Sequence, residues 1–320
     1  MPFERVAVIG AGAWGTALAQ AAAAAGRQVT LIGRDASVVD EVNGRHTNSS
    51  HLGVQQLLPR ITASGRFTGA DLVVLAVPAQ ASRAALSSLS GLDRVAVVLT
   101  AKGLEAGSLK RQSEVLAETA PGAIPLVLSG PSFAVDVAAG RPTAVTLAGD
   151  DDAITERVAA ALAGPSFRPY AAGDRVGVEL AGALKNVYAL AAGAVDGARL
   201  GASARAGLIA RAFAELSRII PAFGGKAETL TGLAGLGDLT LSCTSEQSRN
   251  YRHGVALGRG ETQPSSLAEG VFTAPVAQRL AQQAGIDAPL IDAVNLLLSG
   301  RVTIDAILAG LMSRPLKRED

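Results

Sequence analysis

The stretch Arg5-Val-Ala-Val-Ile-Gly10-Ala-Gly-Ala-Trp-Gly15-Thr-Ala-Leu-Ala decides the fold. Val6–Ile9 is apolar without in/out alternation, as expected of a strand covered on both faces. Gly10-x-Gly12-x-x-Gly15 follows at once, and an Ala-rich helical run opens at Thr16. With 36 glycines in the chain, the spacing alone could be accidental; the strand–turn–helix context gives it meaning. Gly10 permits the tight turn, Gly12 lets a pyrophosphate come close to the backbone, and Gly15 allows the helix to pack against the strand. The helix N-terminus then faces the phosphates. No Gly-Lys-Ser/Thr follows, which excludes a nucleoside-triphosphate P-loop. Ala13 completes the loop, and Trp14, the only tryptophan, either packs on a cofactor or staples the loop to its helix.

Outward from this loop the same alternation continues. Strand-like runs at Gln28–Ile32, Leu72–Val77, Val95–Leu99 and Pro125–Leu128 are separated by helical patterns at Ala36–Arg45, Gln80–Leu89 and Leu109–Thr119. Further strands are predicted at Pro142–Ala148 and Phe167–Tyr170, bracketing a helix at Ile154–Leu162. This is the pattern of an α/β, doubly wound, Rossmann-type domain with a parallel sheet. The rhythm changes near Asp174, a predicted N-cap. Beyond it lie helical patterns at Val176–Ala194, Ala204–Phe223, Tyr251–Leu257, Pro275–Ala284, Ile291–Ser299 and Thr303–Met312. Two domains are therefore expected: a dinucleotide-binding one over 1–174 and an all-α substrate-binding one over 175–320, ending in a charged tail from Arg314.

Composition agrees with an enzyme rather than a binder of polyanions. Of 320 residues, 48% are hydrophobic and 18% charged, enough apolar material for large cores. The formal net charge of +1 gives no electrostatic case for nucleic acid or a membrane surface. Cys243 is the only cysteine, so no intrachain disulfide can form, and a cytoplasmic setting is expected. No signal peptide is visible at the start. The apolar run 180–195 is interrupted by Lys185 and Asn186 and reads as a buried helix, so no stable membrane insertion is expected. No metal-ligand cluster stands out.

The second strand ends in Gly33-Arg34-Asp35. NAD-specific sites place a carboxylate here for the ribose hydroxyls. Arg34 comes first, and a guanidinium can pair with a 2′-phosphate; Asp35 is equally suited to cap the next helix. NADP is therefore expected to serve at least as well as NAD.

Lysine is scarce: Lys102, Lys110, Lys185, Lys226 and Lys317 are the only five. Lys102 follows an apolar strand, at the carboxyl edge where ligands bind in open α/β sheets. Its bland alternative is a solvated loop residue. Ser129-Gly130-Pro131-Ser132-Phe133-Ala134 supplies a second strand end, with a hydroxyl and backbone amides suited to an anion. Lys185 has Ala181, Gly182, Tyr188 and Ala189 at helical spacing. Such a face desolvates an ammonium, the setting in which a lysine serves as general base near neutral pH; the alternative is a lysine snorkelling outward. Asp238 follows Gly235-Leu-Gly237 and reads as a residue of a flexible turn, placed to orient Lys185 or a substrate hydroxyl. Ser248-Arg249-Asn250 opens a helical stretch with a hydroxyl, a fork-shaped guanidinium and an amide, a set that fits a phosphomonoester.

Taken together these motifs resemble the bacterial NAD(P)-dependent glycerol-3-phosphate dehydrogenase family along nearly the whole chain. The likeness runs through Gly10–Ala19, Lys102-Gly-Leu, Ser129–Ala134, Ala183-Leu-Lys-Asn-Val, Gly232–Leu239, Ser248-Arg-Asn and Glu269-Gly. It implies hydride transfer between sn-glycerol 3-phosphate and dihydroxyacetone phosphate, supplying glycerol 3-phosphate for phospholipid synthesis. It further implies that Lys185 is the proton acceptor. Lys102, Gly130, Ser132, Asp238, Ser248, Arg249 and Asn250 match substrate-contacting positions. Ala13, Trp14, Arg34, Lys102, Ala134, Arg249, Leu267 and Glu269 match cofactor-contacting ones. A homodimer is expected. The segment from Asn48 to Pro59 departs from the family in lacking an aromatic near its start. The rivals are another β-hydroxyacid-type dehydrogenase, which the Arg249 phosphate site would distinguish, and a non-catalytic NAD(P) sensor, which has no use for a desolvated Lys185.

Overall fold

The computed structural model describes residues 3–261 and 268–313. The first part runs β1 (Arg5–Ile9), α1 (Ala13–Ala24), β2 (Gln28–Ile32), α2 (Ala36–Arg45), α3 (Ser49–Leu52), β3 (Ile61–Ser64) and β4 (Leu72–Leu75). It continues through α4 (Ser82–Ser87), β5 (Ala96–Leu99), α5 (Gln112–Thr119), β6 (Ile124–Ser129), α6 (Ala134–Ala138), β7 (Thr143–Gly149), α7 (Asp152–Leu162) and β8 (Phe167–Ala172). These strands form one sheet in the order β3-β2-β1-β4-β5-β6-β7-β8. The order turns back on itself between β1 and β4, which opens a crevice beyond their carboxyl ends.

Two features of the sheet differ from the sequence expectation. Strand β3 was not anticipated; it is four residues long and pairs parallel with β2 at the edge. The sheet is also not wholly parallel, because β6 and β7 run antiparallel, Leu126 opposite Gly149 and Ser129 opposite Thr146. Between them lies only the five-residue α6. A run of β-formers does not report its direction, and this connection lacks a full crossover helix.

After β8 come α8 (Arg175–Gly197), α9 (Ala202–Ala222), α10 (Asp238–Thr244), α11 (Arg249–Gly258), α12 (Glu269–Gln283), α13 (Pro289–Leu298) and α14 (Ile304–Met312). Asp174 caps α8, accepting the Gly177 amide at 2.9 Å. α10 was not read from sequence, and α12 begins at Glu269 rather than Pro275. Pro275 sits inside α12, in its second turn and so beyond the first turn where proline is tolerated without loss.

α8 is the axis of the helical part, buried from Gly177 to Val195. It is long and apolar enough to cross a bilayer, yet its whole apolar stretch is covered by protein. Its contact with α11 is made by glycines. A Cβ on Gly193 would lie 2.0 Å from the Tyr251 carbonyl oxygen, and one on Gly254 would lie 2.0 Å from that of Leu190. Only hydrogen side chains let the two backbones approach so closely. This crossing fixes the start of α11, with Ser248, Arg249 and Asn250, against the turn of α8 that carries Lys185.

Candidate active site

The glycine loop is built by exclusion. Gly10 has φ +111°, and a Cβ there would lie 2.6 Å from the Ala76 carbonyl oxygen; one on Gly15 would lie 1.9 Å from that of Gly10. Gly12 differs, since its nearest neighbour would be the His51 ring at 3.9 Å. The space beside Gly12 is open, and no side chain caps the α1 N-terminus that starts at Ala13. An uncapped helix end beside open backbone fits a dinucleotide pyrophosphate. Trp14 is half-buried and packs against the hydrophobic core under the loop, with part of its ring left exposed.

At the end of β2, Gly33 lies against the loop: a Cβ on it would come within 2.8 Å of Ala11 Cβ. Arg34 beside it is exposed. Asp35 caps α2, accepting from the Ser37 amide at 2.9 Å and the Ser37 hydroxyl at 2.7 Å. Those bonds hold its carboxyl below the ordinary range. The carboxylate is thus occupied locally, while the guanidinium is exposed next to the cofactor crevice.

Lys102 follows β5 and reaches two acceptors, Asp238 Oδ2 at 2.6 Å and the Gly130 carbonyl oxygen at 2.9 Å. Gly130 has φ +146°, and a Cβ there would meet Val145 Cα at 2.9 Å, so only glycine turns this carbonyl toward Lys102. Ser132 donates to the same oxygen at 3.0 Å. Lys185, 7% exposed, donates to Asp238 Oδ1 at 2.8 Å and to Ser242 Oγ at 2.5 Å. One buried carboxylate therefore bridges two ammonium groups that lie 83 positions apart in sequence (185 − 102).

The charges decide what this cluster can do. Burial alone would raise the Asp238 carboxyl, but Lys102 and Lys185 outweigh it and hold it below the ordinary Asp range. Burial, assisted by the neighbouring Lys185 ammonium and opposed by Asp238, brings Lys102 down to about 8. Asp238 is shared by two ammonium groups, and the Glu269 carboxylate also acts on Lys102; the two cations are placed to stabilise a developing alkoxide. Cys243, one helical position beyond Ser242, is pushed up to about 12 by burial and stays a thiol.

Asp238 does not sit on a flexible turn. Leu233–Gly237 forms a single π-helical turn that runs directly into α10, a feature often found at functional sites. Gly235 makes it possible, since a Cβ there would lie 2.2 Å from the Leu230 carbonyl oxygen. Being helical, α10 places Ser242 one turn from Asp238 on the same face. Sequence reasoning missed Ser242 because the helix itself went unrecognised.

A chain of amides ties the two parts together. Asn186 donates to the Lys102 carbonyl oxygen at 2.7 Å and accepts from Asn250 Nδ2 at 2.8 Å. Asn250 Oδ1 in turn accepts the Gly270 amide at 2.9 Å. These bonds hold the buried Asn250 side chain in place, while Arg249 beside it is exposed at the first position of α11. The Ser248 hydroxyl caps that helix through the Tyr251 amide. Glu269 opens α12 and accepts the Ala79 amide at 3.2 Å, which brings it to the carboxyl end of β4. Ala134 is half-buried at the first position of α6. Leu267 lies outside the described residues. Among the described residues there is no cluster of side chains that could hold a metal.

Comparison with known proteins places the whole arrangement. Residues 5–155 match the family described as NAD-dependent glycerol-3-phosphate dehydrogenase N-terminus, and residues 174–309 the one described as its C-terminus. The chain is 49% identical over 330 aligned positions, covering all of both chains, to the glycerol-3-phosphate dehydrogenase (NAD(P)+) of Caulobacter vibrioides. It is 51% identical over 324 positions, covering 99% of each, to the protein of that name from a Bradyrhizobium species. The crystal structure of glycerol-3-phosphate dehydrogenase from Coxiella burnetii superposes with a TM-score of 0.91 at 35% identity, over 98% of this chain and all of that one. By sequence and by fold, the chain belongs to the NAD(P)-dependent glycerol-3-phosphate dehydrogenase family.

Proposed function

We propose that this protein interconverts sn-glycerol 3-phosphate and dihydroxyacetone phosphate with NADP or NAD, and that Lys185 carries the proton. The observation that supports this most directly is a buried lysine held by Asp238 and Ser242, joined through that carboxylate to Lys102 at the carboxyl edge of the sheet. A bound nicotinamide supplies the hydride donor or acceptor. Lys185 Nζ gives a proton to the carbonyl oxygen of dihydroxyacetone phosphate, or takes it from the C2 hydroxyl of glycerol 3-phosphate. Asp238 and Ser242 keep that nitrogen in place, and the ammonium groups steady the oxyanion. Lys102, Gly130, Ser132 and Asp238 are assigned to the substrate hydroxyls. Ser248, Arg249 and Asn250 are assigned to its phosphate, with Arg249 as the exposed contact at a helix N-terminus.

Gly10, Gly12, Ala13, Trp14, Gly15, Arg34, Ala134, Leu267 and Glu269 are assigned to the cofactor, with Lys102 and Arg249 able to reach both ligands. The division of labour falls at Asp174, between residues 1–174 and 175–320. A homodimer acting in the cytoplasm and feeding phospholipid synthesis completes the reading; exposed Leu296 and Met312 support an apolar contact between copies, which light scattering would measure. The test of function is NADPH and NADH consumption with dihydroxyacetone phosphate against unphosphorylated dihydroxyacetone. Turnover that depends strongly on the phosphate is expected; equal rates with both, or none with either, would overturn the assignment.

A further inference from the structure

The segment between α2 and β3 carries Asn48, a polar side chain with 0% exposure. Asn48 caps nothing at the start of α3. Its amide nitrogen instead donates to the Ala11 carbonyl oxygen at 2.9 Å and to Thr16 Oγ1 at 2.8 Å. Ala11 lies between the first two glycines of the loop, and Thr16 in the first turn of α1. Its own carbonyl oxygen accepts from Ser50 at 3.3 Å. Both amide hydrogens are therefore committed to the loop, although Asn48 lies 37 positions further along the chain.

The consequence follows from the geometry of a peptide. Every described peptide bond is trans, and in a trans unit the C=O and the following N–H point to opposite sides. With the Ala11 carbonyl anchored inward on Asn48, the Gly12 N–H is turned outward, toward the open side of the loop. No acceptor among the described residues takes that amide. Gly12 has no side chain to obstruct it, and α3 brings the His51 ring to 3.9 Å from the position of its absent Cβ.

We infer that Asn48 is a positioning residue for the cofactor: it presets the Ala11–Gly12 peptide so that its N–H meets the pyrophosphate. It rests on the dinucleotide reading given above and adds a residue that touches neither cofactor nor substrate. Preorganisation of this kind lowers the ordering cost of binding. Because the pyrophosphate is common to both cofactors, the effect is the same for NADPH and NADH, unlike that of Arg34. Once cofactor is bound, the chemical step is untouched.

The test measures dissociation constants of NADPH and NADH by titration, using quenching of Trp14, the single tryptophan, and reduced-nicotinamide emission. Asn48→Ala and Asn48→Leu are compared with Thr16→Val, which removes the other hydrogen bond but leaves Asn48 on Ala11. Asn48→Leu fills the buried space, so a folded protein is obtained even if the alanine variant loses too much packing. For both Asn48 variants we expect dissociation constants raised about tenfold, equally for the two cofactors, from loss of the bond that anchors the Ala11 carbonyl. kcat at saturating cofactor should stay within twofold of wild type, and Thr16→Val should keep wild-type affinity. If the folded Asn48 variants bind both cofactors as wild type does, Asn48 merely supports the fold. Equal loss in Thr16→Val would likewise overturn the assignment. A wild-type protein that binds neither cofactor would overturn the dinucleotide reading itself, a result distinct from both.

Discussion

The glycine loop and the lysine–aspartate cluster are built on opposite plans. The loop is made of backbone, spans Gly10 to Gly15, and works by what its residues lack. The cluster is made of side chains and joins Lys102, Lys185 and Asp238, with 136 positions between Lys102 and Asp238. The loop offers dipoles that need no counter-charge; the cluster holds three formal charges out of water, each dependent on the others. Local sequence can therefore specify the first, whereas only the tertiary fold can balance the second. The difference also sets their fragility: a change in the loop should weaken cofactor binding, while a change in the cluster should stop chemistry or strand a charge.

The sharpest way to break this contrast is Lys185→Met. Methionine fits the apolar helix face, and Asp238 keeps Lys102 as partner, so no buried charge is left alone. Folding and NADPH affinity should stay near wild type, while kcat falls by about 10²–10⁴-fold, as for loss of a positioned acid–base group. Steady-state kinetics with dihydroxyacetone phosphate, beside a cofactor titration, checks both halves. A kcat within a few-fold of wild type would remove Lys185 from the chemistry and make Lys102 the next candidate.

Asp238→Asn attacks the balance of the cluster rather than its reactivity. It leaves the buried Lys185 ammonium and the partly exposed Lys102 ammonium facing an amide. Removing one partner of buried charges costs roughly 3–5 kcal/mol, so denaturant unfolding at neutral pH should show a loss of that order. Thermal or urea unfolding unchanged by the substitution would mean that the cluster is wetter than its burial indicates.

How much of this was legible in the sequence follows the same division. Gly10–Gly15 was readable because strand, turn and helix are contiguous and each glycine has a local steric reason. Asp174 was readable as a cap because capping is a rule about neighbouring positions. Strand β3 escaped because Ile61-Thr-Ala-Ser64 is short, with only Ile61 and Ala63 buried, and the reversed β7 escaped because direction is a property of connection. Gly232-Leu-Ala-Gly-Leu-Gly237 looked like turn chemistry, whereas Leu233–Gly237 winds into a π-helical turn whose Gly235 sits tight against the Leu230 backbone. Asn186, Ser242 and Asn48 went unassigned for one reason: each acts through a partner distant in sequence or on an element whose type was misread.

On the side of the loop, Arg34→Ala should sharpen the comparison, since it removes a side-chain charge from a site otherwise made of backbone. The Asp35 carboxylate is already engaged by Ser37, and Arg34 is the exposed group proposed to meet a 2′-phosphate. A charge-assisted contact of this type is worth about 1.5–3 kcal/mol. The KM for NADPH should rise accordingly, and that for NADH should change little. Equal losses with the two cofactors would mean that the guanidinium supports the loop and not the 2′-phosphate.

The smallest expected effect is the pH dependence carried by Lys102, and its sign separates the two forces acting there. Burial lowers Lys102 and Asp238 raises it; burial prevails, giving about 8 against 10.5 for an ordinary lysine. Between those values the unfolded chain holds a proton that the folded one has released. Stability therefore rises with pH across this window, and the penalty for burying the ammonium is fully present below about 8. The measurement is the unfolding free energy of wild type minus that of Lys102→Met, taken by urea titration from pH 7 to 9, so that groups common to both cancel. The difference should shift in favour of wild type by on the order of 1 kcal/mol over that range. A flat difference would mean that Lys102 is fully hydrated, and a falling one that its pairing with Asp238 outweighs burial. In either case the cluster would resemble a surface ion pair more than the desolvated charge system its geometry describes.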